Sequence, residues 1–268
     1  MPDEHDGVRY ELRDGIAWIT LDRPERRNAL TRHIMTTALP EAWARFSEDG
    51  DARVAVITGA GDQAFCAGMD LNEASETRYR ASESGATPPE QRPVRVSPRM
   101  CEVWKPVIAA VNGVCTGVAI QLVTDCDIVV ASDTAYFSDA RVSVGLMPAL
   151  GAAELTRVMP LHEALRLMFM GRHGRLTAER AYQIGFVNEL VPPAELLPAA
   201  ERVARTIMEN APLAVRLAKM AAWQGLDVGL AEAKTHARAL NEAHPTAEDV
   251  REGARAFVEK RRPDWKLR

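Results

Sequence analysis

The chain of 268 residues carries 33 Lys and Arg against 37 Asp and Glu, a formal net charge of −4, and 47% of its residues are apolar. This is a globular composition near the size at which one hydrophobic core stops growing, so a single large domain and a domain with a helical appendage both fit. A mildly acidic balance argues against a nucleic-acid binder, which presents a basic face, while leaving room for an anionic ligand wherever basic residues cluster.

The opening segment Met1-Pro2-Asp3-Glu4-His5-Asp6 is acidic and has the pattern of neither a secretory signal nor a transit peptide. No apolar run approaches the length of a membrane span, and a cytoplasmic protein is expected. Val8 to Leu12 and Ile16 to Leu21 flank Asp14-Gly15 and predict a hairpin. Asn28 and Thr31 offer N-caps for a helix reaching about Ser47, with Pro40 placed to kink or split it. Arg53 to Thr58, Val107 to Val111 and Ile128 to Ala131 are short, β-branched and almost continuously apolar, as in strands covered on both faces. Strands alternating with helices imply an α/β architecture.

Phe65-Cys66-Ala67-Gly68-Met69-Asp70-Leu71 follows the first of these strands and reads as a tight glycine loop able to aim backbone N–H groups at an anion; an ordinary strand-to-helix turn has the same local sequence. Glu73 to Arg99 is rich in Ser, Glu, Arg and Pro and reads as an insertion, either a lid or a surface loop. A second glycine turn, Asn112-Gly113-Val114-Cys115-Thr116-Gly117-Val118, is placed to open a helix, whose N-terminus is a candidate anion site or a plain helix start. Cys66, Cys101, Cys115 and Cys126 form no C-x-x-C pair and sit in or beside apolar runs, so buried reduced thiols are expected. The six histidines show no ligand spacing, and no metal site is expected.

Beyond Leu161 strand signals nearly vanish, leaving Phe186 to Val191 before helical patterns over Leu196 to Met208, Ala214 to Trp223 and Ala247 to Val258. Residues 1–195 are therefore assigned to an α/β core and 196–268 to a C-terminal helical region. Met168, Phe169 and Met170 read as core or interface residues.

Arg23-Pro24 with Asn28-Ala29-Leu30, the loop Phe65 to Leu71, Lys105-Pro106-Val107-Ile108-Ala109-Ala110-Val111-Asn112-Gly113 and Cys126-Asp127-Ile128 together resemble the crotonase superfamily, the enoyl-CoA hydratase/isomerase family. The resemblance continues through Val144-Gly145-Leu146-Met147-Pro148, Gly171, Ala178-Glu179, Ala181 and Ile184-Gly185-Phe186-Val187-Asn188, in the family's order over nearly the whole chain. It implies a spiral of repeated ββα units, a C-terminal helical region used in trimerisation, and an acyl-coenzyme A thioester as substrate with no permanently bound cofactor. The backbone N–H groups of Met69 and Val118 would hold the thioester oxygen. Coenzyme A would be contacted by Arg26, Arg27 and Ala29, by Ala67, Gly68, Asp70 and Leu71, and by Phe257 and Lys260 of a neighbouring subunit in a homotrimer or pair of trimers. Neither a nucleic acid nor a membrane is an expected partner.

The family's hydratases use two glutamates to position and activate water. Alignment on Cys126-Asp127 and on Gly145 puts Gln121 and Arg141 at those places. A glutamine amide does not titrate and an arginine stays protonated, so neither can serve as a general base. Asp139 shares Arg141's side of the chain if the segment is extended and is either its ion-pair partner or a replacement acid/base. Glu154 is expected to sit at a helix start after Gly151 and favour the dipole there, with Asp125 and Tyr136 weaker candidates. Two functions of different class follow: an enzyme working through an enolate with an unconventional acid/base, or an acyl-CoA-binding sensor or assembly protein without turnover. A hydrolase of the Clp protease type lacks a nucleophile in the matching segments.

Overall fold

A computed structural model describes residues 7–71, 93–243 and 247–266. The first two strands, β1 (Val8–Arg13) and β2 (Ile16–Leu21), form the expected antiparallel hairpin. Asp14 and Gly15 both have positive φ, 50° and 80°, the conformation a two-residue turn needs to match the twist of its strands. Three strands that follow in the large sheet each lead at once into a short strand of a second sheet: β3 (Val54–Gly59) into β4 (Ala64–Cys66), β5 (Val107–Val111) into β6 (Val114–Thr116), and β7 (Ile128–Ser132) into β8 (Tyr136–Ser138). With β9 (Leu176–Thr177) and β10 (Glu189–Val191), the sheets run β1-β2-β3-β5-β7-β10 and β4-β6-β8-β9. All pairings are parallel except β1 with β2 and β8 with β9. These are the ββα turns of a spiral, and the sequence showed only their longer strands. Three-residue strands such as β4, β6 and β8 are too short to carry a period.

The large sheet is apolar on both faces because both are covered. On β2, Ala17, Ile19 and Leu21 face the main core while Ile16 and Trp18 face a second one. The same alternation separates Ala55 and Ile57 from Val54 and Val56, and Val107, Ala109 and Val111 from Ile108 and Ala110. The second core is closed by the helix Leu196–Met208, whose Ala199, Ala200 and Ala204 are all but inaccessible and let its backbone approach the sheet closely. Three further helices follow, Pro212–Gly225, Leu230–Ala243 and Ala247–Glu259. Among the described residues no helix is long and apolar enough to cross a membrane.

The first helical segment differs from expectation in an informative way. Thr31 does cap it, its Oγ1 accepting from the Ile34 N–H at 3.2 Å. Asn28 does not: it lies at φ 56° and is buried, with Nδ2 donating to the carbonyls of Ala60 and Ala64 and Oδ1 accepting from the Arg23 N–H. The segment is divided just before Pro40: one π turn, Ile34–Ala38, precedes the α-helix Leu39–Glu48 and leaves the proline in its first turn. There a missing N–H costs little.

Residues 93–99 of the expected insertion are irregular, with Val96 and Ser97 buried; its remainder, through residue 92, lies outside the described residues. Met168 is a core residue, whereas Phe169 is 74% exposed. Cys66, Cys115 and Cys126 are buried and Cys101 is half-buried, all as free thiols. Burial pushes the Cys66 thiol up to about 12.

Candidate active site

The two glycine loops meet. A Cβ on Gly68 would stand 2.9 Å from the Thr116 carbonyl oxygen and 3.8 Å from Gly117 Cα, and a Cβ on Gly117 would stand 3.8 Å from Gly68 Cα. Both glycines have positive φ, 88° and 62°, so the absence of a side chain serves backbone shape and close approach together. The side chain of Asn112 clamps the turn that aims the first loop, Nδ2 donating to the carbonyls of Gly59, Gly61 and Ala64.

Hydrogen bonding around the loops leaves the Met69 and Val118 donors over, along with that of Ala119. Ala67 N–H donates to the Arg27 carbonyl, Gly68 N–H to Cys66 Sγ and Asp70 N–H to the Leu30 carbonyl. Gly117 N–H donates to the Ser138 carbonyl and Ile120 N–H to the Gly117 carbonyl. Between these, the N–H groups of Met69 and of Val118 donate to no described residue. Val118 opens the helix Val118–Thr124, where an N–H has no partner of its own and the helix dipole is positive. Two such donors on touching loops can hold a developing oxyanion.

The segment 26–30 lies along the first loop. Leu30 pairs with Met69 in an isolated parallel bridge. Arg23 ties both pieces, with Nη1 donating to the Ala29 carbonyl at 2.6 Å and to Asp70 Oδ2 at 3.2 Å. Arg26, Arg27, Ala29, Ala67, Gly68, Asp70 and Leu71 are thus gathered on one rim, with Arg26, Arg27 and Leu71 exposed. Phe257 and Lys260 are not part of it within the chain. Lys260 lies with Arg53 and Arg205 beside a cavity at the start of β3, the end opposite the glycine loop.

Gln121 sits one helical turn after Val118 and is buried. It does not face water alone: its Nε2 donates to Glu154 Oε1 at 3.4 Å. Glu154 is not at a helix start, as its sequence position suggested, but in the middle of the helix Ala149–Val158. Its other oxygen, Oε2, is buried with no hydrogen-bond partner among the described residues. Burial and the neighbouring Asp125 push its carboxyl up to about 7, and the nearby Gln121, Arg99 and Arg141 only partly oppose them.

The two arginines have limited pull because each is already matched. Arg141 forks onto the fully buried Asp139, Nε to Oδ1 at 2.8 Å and Nη2 to Oδ2 at 2.7 Å. The ion pair is as expected, but the backbone is a 3-10 turn, Ala140–Val144, capped by Asp139, and not an extended segment. Gly151 lets the Arg141 guanidinium lie against the helix, since a Cβ there would come within 2.6 Å of Nη2. Arg99 reaches Asp125 Oδ1 at 3.4 Å and stacks 4.2 Å from the Trp223 ring centroid. Ser97 Oγ donates to Asp125 Oδ2, and burial raises the Asp125 carboxyl as well. The network of Gln121, Glu154, Asp125, Arg99 and Ser97 escaped sequence reasoning as a unit because it joins three separate segments. The sequence named Gln121, Glu154 and Asp125 one by one as candidates, but not Ser97 or Arg99, nor the contacts that join them.

The chain matches the Enoyl-CoA hydratase/isomerase family over residues 11–268. It is 34% identical over 260 residues to an (E)-benzylidenesuccinyl-CoA hydratase of Thauera aromatica and 35% identical over 266 residues to a carnitinyl-CoA dehydratase of Salmonella arizonae, covering 97% of this chain and 98% of the relative each time. A solved structure of an enoyl-CoA hydratase/isomerase from Mycobacterium paratuberculosis superposes with a TM-score of 0.84 at 40% identity, covering 98% of this chain and 99% of that one. An enoyl-CoA hydratase from Bacillus anthracis superposes with a TM-score of 0.86 at 30% identity, covering 98% of this chain and 100% of that one. With two touching glycine loops on such a spiral and a match reaching from its first strand to its last residue, this chain belongs to the enoyl-CoA hydratase/isomerase family.

Proposed function

We propose that the protein is an enzyme that transforms an acyl-CoA thioester through an enolate, the thioester oxygen being held by the N–H groups of Met69 and Val118. The observation that carries this reading is the contact of the Gly68 and Gly117 loops, with those two donors unclaimed by any described residue. A ground-state carbonyl gains little from such donors and an enolate oxygen much more, so the pair favours the reaction rather than binding alone. One donor of this kind is worth about a hundred- to a thousandfold in rate.

Coenzyme A would lie along the rim of Arg26, Arg27, Ala29, Ala67, Gly68, Asp70 and Leu71. Arg26 and Arg27 are exposed and suit phosphates on an acidic protein. Phe257 and Lys260 would come from a neighbouring copy in a homotrimer or pair of trimers, which accords with Phe257 being 86% exposed in the single chain. Gln121 and Arg141, standing where the alignment puts the hydratase glutamates, make hydration by the usual pair of carboxylates a poor expectation. They also favour the second reading, an acyl-CoA-binding protein without turnover.

Turnover separates the two. The pure protein is incubated with enoyl-, dienoyl-, β-keto- and malonyl-type CoA esters, products are followed by mass spectrometry, and binding is measured in parallel. Conversion of at least one ester is expected. Tight binding with no conversion leaves the binding-protein reading, and no binding of any ester removes both.

A further inference from the structure

We propose that Glu154, reaching in from the helix Ala149–Val158, is the acid/base group of this site, and that Gln121 is its positioning residue. The assignment rests on the enolate reading above and names the group that moves the proton.

Three observations carry it. Gln121 lies one turn from the Val118 N–H, a rise of about 4.5 Å along the helix, and its amide touches Glu154 Oε1 at 3.4 Å. One side chain therefore links the carboxyl to the first turn of the helix whose leading N–H would hold an enolate oxygen. Glu154 Oε2 is buried and has no hydrogen-bond partner among the described residues, an arrangement that costs about 1–3 kcal/mol and that native proteins keep where a ligand, a water or a reaction supplies the missing partner. Finally, the charged groups around the carboxyl are locked onto one another. Arg141 is forked by Asp139, and Arg99 is held by Asp125, which Ser97 also engages. Neither guanidinium is left to pin Glu154 as a permanent ion pair, so it can both take and give a proton near neutral pH. Arg141 and Asp139 thereby maintain the site's charge balance without moving a proton themselves.

The step balances without a co-reactant. The Glu154 carboxylate accepts a proton from the carbon next to the thioester carbonyl, and the C–H electron pair moves into an enolate whose oxygen carries the charge. The carboxylic acid so formed returns the proton, either to the same carbon or, in a 3-enoyl ester, to the far end of the dienolate. The second course shifts the double bond into conjugation with the thioester. One carboxyl suffices, and an amide at Gln121 is no impediment because it only holds the carboxyl in place.

The test is proton exchange in D2O with vinylacetyl-, 3-hexenoyl- and 3-decenoyl-CoA, read by mass spectrometry across pH 5 to 9, with affinities measured by calorimetry. Wild type should take up deuterium at a rate rising through a midpoint near the carboxyl's value of about 7. Glu154→Gln should lose about a hundredfold or more of that rate while binding each ester within about threefold of wild type. Glu154→Asp, which keeps a carboxyl one methylene short, should restore part of the rate and the pH midpoint. Exchange by Glu154→Gln at the wild-type rate overturns the assignment and leaves the enolate reading standing. Loss of affinity in both variants along with the rate also overturns it, marking a structural role. Binding without exchange by wild type removes the enolate reading and this assignment together.

Discussion

Glu154 shows how one side chain can be placed by sequence and misjudged without its neighbours. Its carboxyl stands at about 7 in the folded chain against an ordinary 4.5, chiefly because it is buried and secondly because Asp125 lies near. The sign of the consequence follows by linkage. Between about pH 4.5 and 7 the native state holds a proton that the unfolded chain has released, so the group's contribution is full below 4.5 and is lost as pH rises through 7. Urea midpoints of wild type and Glu154→Gln, measured across that window, should therefore diverge. Relative to the variant, wild type should be more stable at low pH than at pH 8. A constant offset between the two curves would mean that Glu154 titrates as an ordinary exposed glutamate.

At the scale of elements, the helix Leu196–Met208 depends on small residues. Ala199, Ala200 and Ala204 face Val54, Val56 and Ile108 across the second core, each at 0–1% exposure. Enlarging one of them has no void to fill. Ala200→Leu should lower stability by about 1–3 kcal/mol, read as a drop in the denaturant midpoint with an unchanged slope; a neutral or stabilising result would show that the helix can shift outward. Legibility followed the apolar pattern and not length: the 14-residue helix Leu230–Ala243, none of whose residues is buried, was not read from the sequence. The helix Leu196–Met208 and the strand Val107–Val111 have in the structure the bounds read from their patterns. The second sheet was not legible, because strands of three residues are defined by their partners and not by a period. The π turn before Pro40 was invisible for a related reason: only the following helix's packing fixes where the extra residue is absorbed.

For the whole molecule, a buried charge ties the helix Pro212–Gly225 to the spiral. Lys219, on the helix Pro212–Gly225, is 8% exposed and donates to Asp127 Oδ2 at 2.7 Å and to the Lys105 carbonyl at 2.9 Å. Asp127 also accepts from the Trp223 indole at 3.0 Å and from the Val107 N–H at 2.8 Å, at the start of β5. Asp127 therefore joins strand and helix at one point. Lys219→Met keeps the aliphatic stem but leaves the carboxylate short of its cation, and should cost about 3–5 kcal/mol. Thermal unfolding should show a clear fall in Tm for Lys219→Met, and a far smaller one for Lys219→Met combined with Asp127→Asn if the uncompensated charge is the cause. Equal losses in the single and double variants would assign the effect to packing.

The sequence by itself determined the family, through motifs that resemble it in order over nearly the whole chain, and an α/β core, because strands covered on both faces must be almost continuously apolar. It also showed that Gln121 and Arg141 cannot take a proton, since that is a property of the side chains alone. Only the tertiary structure decided that the two glycine loops touch, that Arg141 is spent on Asp139, and that Glu154 meets Gln121 from a helix 33 residues further along the chain. Contacts between distant segments and the burial that shifts a carboxyl arise from how the elements pack, and no local pattern encodes them.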